Sequence, residues 1–137
     1  MAINILIIDA QGGGVGKQLV SAIKQNIPTA LVRAVGTNSA ATSAMLKAGA
    51  DSAATGENAI LVGCRKADVI MGPIGIVIAD SLFGEITPTM AKAIGQSNAK
   101  RILIPFNHCD NIIVGISDLS IGKLIQAAID ELRKMVE

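Results

Sequence analysis

The residues able to do chemistry in this chain gather in four short segments, 9–17, 36–39, 72–75 and 107–110. The first reads Asp9-Ala-Gln11-Gly12-Gly13-Gly14-Val15-Gly16-Lys17. Consecutive glycines let the main chain come close to a ligand. A helix starting there turns unpaired N–H groups and a positive dipole end toward an anion. Two phosphate-binding patterns nearly fit. The dinucleotide fingerprint GxGxxG takes Gly12 and Gly14, then meets Lys17 where its third glycine belongs. The P-loop takes Gly16-Lys17, but Gln11 replaces its first glycine and Gln18 replaces the hydroxyl residue that would hold Mg²⁺. The loop thus predicts a phosphate or nucleotide beside a helix start and names no reaction. Its cofactor-binding residues are Asp9, Gln11, Gly12, Gly13, Gly14, Val15, Gly16 and Lys17, joined by Thr37, Asn38 and Ser39. A tight strand–helix turn with no ligand is the plainer alternative.

Charge layout sharpens the expectation. The net charge is only +1, yet residues 10–50 carry Lys17, Lys24, Arg33 and Lys47 and no acid. An NAD-type site wants Asp or Glu about 20 residues past the loop, on the ribose 2′-OH. Here that place holds Gly36-Thr37-Asn38-Ser39. A 2′-phosphorylated, NADP-like dinucleotide fits that pattern better, with Thr37 and Ser39 as donors and Arg33 nearby. Lys24 and Lys47 read more simply as solvated helix faces.

The remaining candidates are weaker. Glu57 and Asn58 lie at a helix start, where Glu57 either favours the dipole or reaches a substrate. Gly72, Pro73, Ile74 and Gly75 form a rigid turn suited to a substrate wall, or merely to a Pro-Gly turn. Asn107 belongs to the same rim. His108 adjoins Cys109 and Asp110, but neighbours in an extended chain point different ways and make no triad. Glu57, His108 and Asp9, in that order, are the candidate catalytic groups. Cys109 reads as a structural thiol before it reads as a nucleophile. One histidine and two scattered cysteines give no zinc spacing, so no metal is expected.

Strands and helices must position these segments. Residues 3–8 are β-branched and apolar on both faces, as in a strand buried on both sides. Further strands are predicted over 30–36, 68–71, 102–105 and 112–116. Helices are predicted over 15–25, 39–48, 59–64, 88–97 and 120–136, with Ser39 and Thr87 as caps and Pro88 at a first helical position. Residues 76–82 are ambiguous between strand and helix. The alternation predicts a single Rossmann-like domain over 1–137, a doubly wound, mostly parallel sheet of about five strands with helices on both faces. Ligands then bind at the carboxyl ends of the strands.

Composition bounds the partners. The chain has 137 residues, half of them hydrophobic, and mean hydropathy is +0.52, which excludes intrinsic disorder. The uncharged run between Asp68 and Asp80 is too short, and too broken by Gly72, Pro73 and Gly75, for a spanning helix of about 20 residues. No membrane partner and no signal peptide are expected. There is no Trp or Tyr and only two Phe, so base-stacking platforms are missing, and no basic field argues for nucleic acid. Free thiols in a reducing cytoplasm are expected. An aliphatic domain of this size leaves apolar surface over, so a homo-oligomer is predicted through residues 74–82 and the last helix.

The motifs at 9–17, 36–50, 54–59, 72–75 and 104–107 resemble, in order and over the whole chain, a family of short bacterial proteins known only as a domain of unknown function. The resemblance implies an intracellular, stand-alone Rossmann-like domain and no activity. A looser likeness is to methylglyoxal synthase-type domains, through the Gly-Thr rim loop and a late strand ending in Pro and Asn. The glycine loop after the first strand departs from that group. Binding of a nucleotide or dinucleotide is thus the leading expectation. A non-catalytic sensor or accessory subunit is the second. A lyase acting on a small phosphorylated metabolite is the third.

Overall fold

A computed structural model describes residues 2–106, 110–116 and 119–136. The elements run β1 (Asn4–Asp9), α1 (Gly14–Asn26), β2 (Leu31–Gly36), α2 (Ser39–Lys47), β3 (Ser52–Thr55), α3 (Glu57–Lys66), β4 (Val69–Pro73), α4 (Pro88–Gln96), β5 (Lys100–Ile104) and α5 (Ile121–Val136). The sheet order is β3-β2-β1-β4-β5, and every pairing is parallel. The fold is the doubly wound α/β architecture expected from the alternating pattern.

Period-two alternation sorts β1 between two cores. Ile5 and Ile7 join α1 and α5 in one core, with Leu19, Ile23 and Ile129 fully buried. Leu6 and Ile8 join α3 and α4 in the other, against Ile60, Ile70 and Ile94. Each such side chain contributes about 1.5–3 kcal/mol when buried, so a strand apolar on both faces belongs at the sheet's centre. α1, α2 and α5 therefore cover one face, and α3 and α4 the other. Asp51 ties the layers together outside the cores. It accepts from the Val32 N–H at 2.8 Å and pairs with the Lys24 ammonium at 3.0 Å.

Four expectations need correction. β3 is not predicted, because Ser52-Ala53-Ala54-Thr55 is a short edge strand with no apolar pattern, held by its register on β2 and by Thr42 of α2, which donates to the Ala54 carbonyl. Residues 112–116 form no strand. Gly115 takes φ +86°, and Ile112 and Val114 stand 89% and 93% exposed. The fifth strand is β3 instead. Residues 76–82 are neither strand nor helix: a 3₁₀ turn over Ile74–Val77 runs into a loop with Asp80, Leu82 and Phe83 at positive φ. The cap of α2 is Asn38, whose side chain accepts from Ala41 N–H at 2.9 Å, and Ser39 is the first helical residue. Thr87 caps α4 and Pro88 opens it, as predicted. Among the described residues no helix is long and apolar enough to cross a membrane.

Candidate functional site

β1 hands its chain to β2 on one side, while β4 and β5 lie on the other. The crevice between β1 and β4 is the point where doubly wound sheets take ligands. A cleft of about 270 Å³ opens there, lined by Asp9, Gln11, Gly12, Gly14, Val15, Gln18, Pro73, Leu82, Phe106 and Ile121 among others. A neighbouring hollow of about 510 Å³ shares Gln11 and Leu82 with it. A third hollow, about 290 Å³, lies at the amino ends of the strands beside Arg33 and Lys66, and no rim segment lines it. The rim rule for parallel sheets favours the β1–β4 cleft.

The loop glycines divide into two kinds. Gly13 has φ +73°, and an added Cβ would lie 2.9 Å from the Ala41 main chain on α2. At Gly16 a Cβ would lie 2.5 Å from Met45 Sδ and 2.9 Å from Asp9 Cβ. The fold itself requires both. Gly12 and Gly14 have ordinary φ, line the cleft, and would place a Cβ in open space. Neither backbone strain nor packing explains them.

Asp9 ends β1 and is buried. Its carboxylate accepts from the Ala10 N–H at 2.8 Å and the Gly16 N–H at 2.6 Å, closing the first turn of α1 with an internal anion. Burial pushes its pKa up. The Gly16, Ala10 and Val15 amides pull it down, and the nearby Glu85 charge adds to the rise, with the balance upward.

Glu85 was missed from the sequence. It lies in the loop before α4 and reaches across to the ends of β1 and β2. Its Oε1 accepts from the Gln11 N–H at 3.0 Å, Thr37 Oγ1 at 2.6 Å and Asn38 Nδ2 at 2.8 Å. Asn38 Nδ2 also donates to the Gln11 carbonyl at 2.9 Å, so Gln11, at φ +52°, is clamped from both sides. Burial raises the Glu85 carboxyl, but the bonds from Thr37, Gln11 and Asn38 outweigh it and hold the group below its usual range. The only advance signal was indirect: a rim with no acid over 10–50 needs one from elsewhere, and Glu85 is the acid nearest before the α4 cap.

The structure brings the other predicted residues together only in part. Lys17 is exposed on α1 and does not line the cleft. Among the described contacts, Thr37 and Asn38 turn to Glu85, and Ser39 is exposed. Glu57 is exposed and accepts from Thr87 Oγ1 at 2.5 Å, while Thr87 Oγ1 accepts from Met90 N–H. Glu57 thus joins the starts of α3 and α4, and Asn58 beside it is exposed. Gly72 is set by packing, since a Cβ there would strike the Ile8 carbonyl. The Gly75 carbonyl accepts from Ser81 Oγ, Ile74 is half-buried, and of residues 72–75 only Pro73 lines the cleft. Asn107, His108 and Cys109 lie outside the described residues. Cys64 is a buried free thiol, its pKa raised by burial. Among the described residues no group of three or more His, Cys, Asp or Glu side chains could hold a metal.

A parallel doubly wound sheet with a glycine loop at its switch point defines a Rossmann-like α/β protein. The chain belongs to the family described as Domain of unknown function (DUF3842), which matches residues 4–137. No curated protein matches it. Among solved structures it is similar to the dodecameric FMN-dependent UbiX-like decarboxylase from Escherichia coli O157:H7, at 16% identity and a TM-score of 0.45, over 95% of this chain and 76% of that one. A likeness of that size says nothing of activity.

Proposed function

We propose that the chain is a single ligand-binding domain that seats a nucleotide-type molecule in the β1–β4 cleft. The observation that carries this reading is the pair Gly12 and Gly14. They line the cleft, have open space where a Cβ would stand, and answer no demand of the fold. Glycines of that kind let a ligand approach the main chain, and among the described residues no acceptor meets their N–H groups.

The geometry alters what is recognised. Two carboxylates, Asp9 and Glu85, flank the loop, and Lys17 is exposed and does not line the cleft. A bare phosphate therefore meets fewer cations among the described residues than the charge layout implied, which favours a nucleotide over a small phosphorylated metabolite as the ligand. A ligand held through main-chain amides and hydroxyl groups fits better. A 2′-phosphate would need Thr37 and Ser39 as free donors, and Thr37 already donates to Glu85.

Binding without catalysis is the reading that the two described candidate groups support; His108 lies outside the described residues. Asp9 holds the start of α1, and Glu57 is bonded to the cap of α4. Calorimetric titration with NAD(H), NADP(H), AMP, GMP and FMN tests the proposal. Binding of one of them to the wild type, weakened at least about tenfold in Gly12→Ala or Gly14→Ala without loss of thermal stability, is the expected result. No heat with any of them at millimolar concentration overturns it.

A further inference from the structure

We infer that Phe106 is the specificity-determining residue of this cleft: its ring stacks on the base of the ligand, so the site takes a fused-ring purine nucleotide in preference to a pyrimidine one. The inference rests on the nucleotide-binding reading above and names the ligand class that site selects.

The first observation is where the chain places its aromatic rings. It has no Trp or Tyr and two Phe. Neither Phe belongs to a hydrophobic core, and both cores close without an aromatic side chain. Phe83 is 98% exposed and lines the hollow beside the cleft. Phe106 is 41% exposed and lines the cleft itself, as Gly12 and Gly14 do. Like those glycines, it is not called for by the packing of either core. Its main chain is nevertheless held. Pro105 fixes φ before it, and the Phe106 N–H donates to the Ile104 carbonyl at 2.8 Å. The ring stands on a short stiff turn after β5, at the carboxyl end of the sheet where the glycine loop also lies.

The second is what shares the cleft with it. Val15, Pro73, Leu82 and Ile121 supply the other apolar walls. A planar ring seated among them buries its faces, and an aromatic wall adds an offset or edge-to-face contact that an aliphatic wall lacks. A ligand whose phosphate lies over the Gly12 and Gly14 amides can lay its base in the same cleft of about 270 Å³. Among the described residues Phe106 is the one aromatic wall there. Stacking tolerates every base, since each has a π-face, and what preference it gives follows stacking strength. A purine, with two fused rings, overlaps more of its surroundings than a pyrimidine does.

The third is how little remains to read a base by its edge. Asp9 has both carboxylate oxygens on main-chain amides, those of Ala10 and Gly16. Gln18 Nε2 donates to the Gly14 carbonyl at 3.1 Å. Gln11 is bonded through its main chain, and its side chain is the one polar side chain lining the cleft with no described bond. Strong discrimination by hydrogen bonds needs buried polar groups that the wrong ligand leaves unpaired. With so few of them, discrimination falls to stacking, and adenine and guanine, alike in ring area, are bound alike.

The test is calorimetry with AMP, GMP, CMP, UMP and ribose 5-phosphate on wild type and on Phe106→Leu, which keeps an apolar wall without a π-face. A second variant, Phe106→Trp, introduces the chain's only indole, whose emission reports a base stacked on it. Phe83→Trp does the same for the neighbouring hollow. The wild type should bind AMP and GMP about tenfold more tightly than CMP and UMP, and ribose 5-phosphate most weakly. AMP and GMP should differ by less than about threefold. Phe106→Leu should bring the purine-to-pyrimidine ratio within about threefold and leave ribose 5-phosphate affinity unchanged. AMP should quench the emission of Phe106→Trp and leave that of Phe83→Trp unaltered. If the wild type binds nucleotides but the ratio is near one, or survives in Phe106→Leu, the inference fails and the binding reading stands. Quenching of Phe83→Trp in place of Phe106→Trp also overturns it, and moves the base to the hollow. If no nucleotide binds the wild type, both fail.

Discussion

Thr37 Oγ1 donates to Glu85 Oε1 at 2.6 Å, joining the end of β2 to a loop 48 residues further along the chain. The bond crosses the switch point of the sheet. It belongs to a set in which Asn38 and the Gln11 amide hold the same oxygen, so one carboxylate fixes the relative positions of the β1 loop, the β2 loop and the segment before α4. That segment carries three non-glycine residues at positive φ, Asp80, Leu82 and Phe83, followed by Gly84 at +83°. Left-handed backbone at bulky residues is strained and persists only where its surroundings hold it. The hydrogen bonds at Glu85 are part of that hold.

Acid should act on this link with a definite sign. The Glu85 carboxyl lies below its ordinary value of 4.5 in the folded chain, so its contribution is fully present above the unfolded pKa and is lost as pH falls through the folded one. Asp9 works the other way. Its folded pKa lies above 3.8, so over the interval between its unfolded and folded values the folded chain takes up a proton more readily. Glu85→Gln should therefore lower stability at neutral pH by about 1–3 kcal/mol, through weakened charged hydrogen bonds. It should also flatten the loss of stability as pH falls below the ordinary carboxyl value of 4.5. Urea unfolding midpoints across that range check it, and an unchanged acid slope would contradict the assignment.

The four glycines of the α1 loop should separate by stability. Gly14 is the first residue of α1 with open space at its Cβ, so Gly14→Ala should raise stability by up to about 1 kcal/mol through helix propensity. Gly12→Ala should be neutral within about 0.5 kcal/mol. Gly13→Ala and Gly16→Ala should each cost about 1–3 kcal/mol. The first forces a side chain into left-handed backbone against Ala41, and the second drives one into Met45 and Asp9. Thermal melts of the four variants give the order directly.

The same contrast shows how far the sequence was legible. β1, β2, β4, β5 and all five helices follow from apolar periodicity and caps, because those elements are shaped by what they bury. β3 was invisible because a four-residue edge strand of Ser, Ala and Thr buries almost nothing and exists through its pairing with β2. The glycine loop could be located as a site, but Gly13 and Gly16 could not be told from Gly12 and Gly14. That distinction depends on Ala41 and Met45 of α2, which reach the loop only in three dimensions. Glu85 was hidden for a similar reason: its partners Gln11, Thr37 and Asn38 are 47 or more residues away. Apolar content at 74–82 suggested surface, yet Ile76 and Leu82 are buried, because the 3₁₀ turn and left-handed loop fold them inward.

Lys17 separates two views of the loop. A P-loop-like lysine would hold a ligand phosphate, and its removal would abolish binding. Here Lys17 is exposed and outside the cleft, whereas Gln18 lines it. Lys17→Ala should leave nucleotide affinity within about threefold of wild type, as expected for a screened surface charge. Gln18→Ala should weaken it by more. Calorimetric affinities for both variants decide, and the reverse order would restore the lysine to the site.

Self-association is expected from a different surface than the sequence suggested. Phe83 stands 98% exposed at the tip of the loop before α4, and Ile112 and Val114 are 89% and 93% exposed in the segment after β5. Phe106, 41% exposed, lines the cleft, and Ile116 and Leu119 are exposed as well. Half-exposed apolar residues such as Leu31 and Leu46 are ordinary on protein surfaces, whereas the almost fully exposed Phe83, Ile112 and Val114 call for cover. The last helix contributes less, since its apolar stripe, Ile125, Ala128, Ile129 and Leu132, is buried within the fold, leaving Met135 and Val136 at its end. Sedimentation velocity should give a species heavier than the 14.0 kDa protomer. Replacing Phe83, Ile112 and Val114 by Ser should shift it toward the protomer, while Met135→Ser should not. A protomer mass for the wild type at tens of micromolar would refute the expectation. A shift only with Met135→Ser would move the interface back to α5.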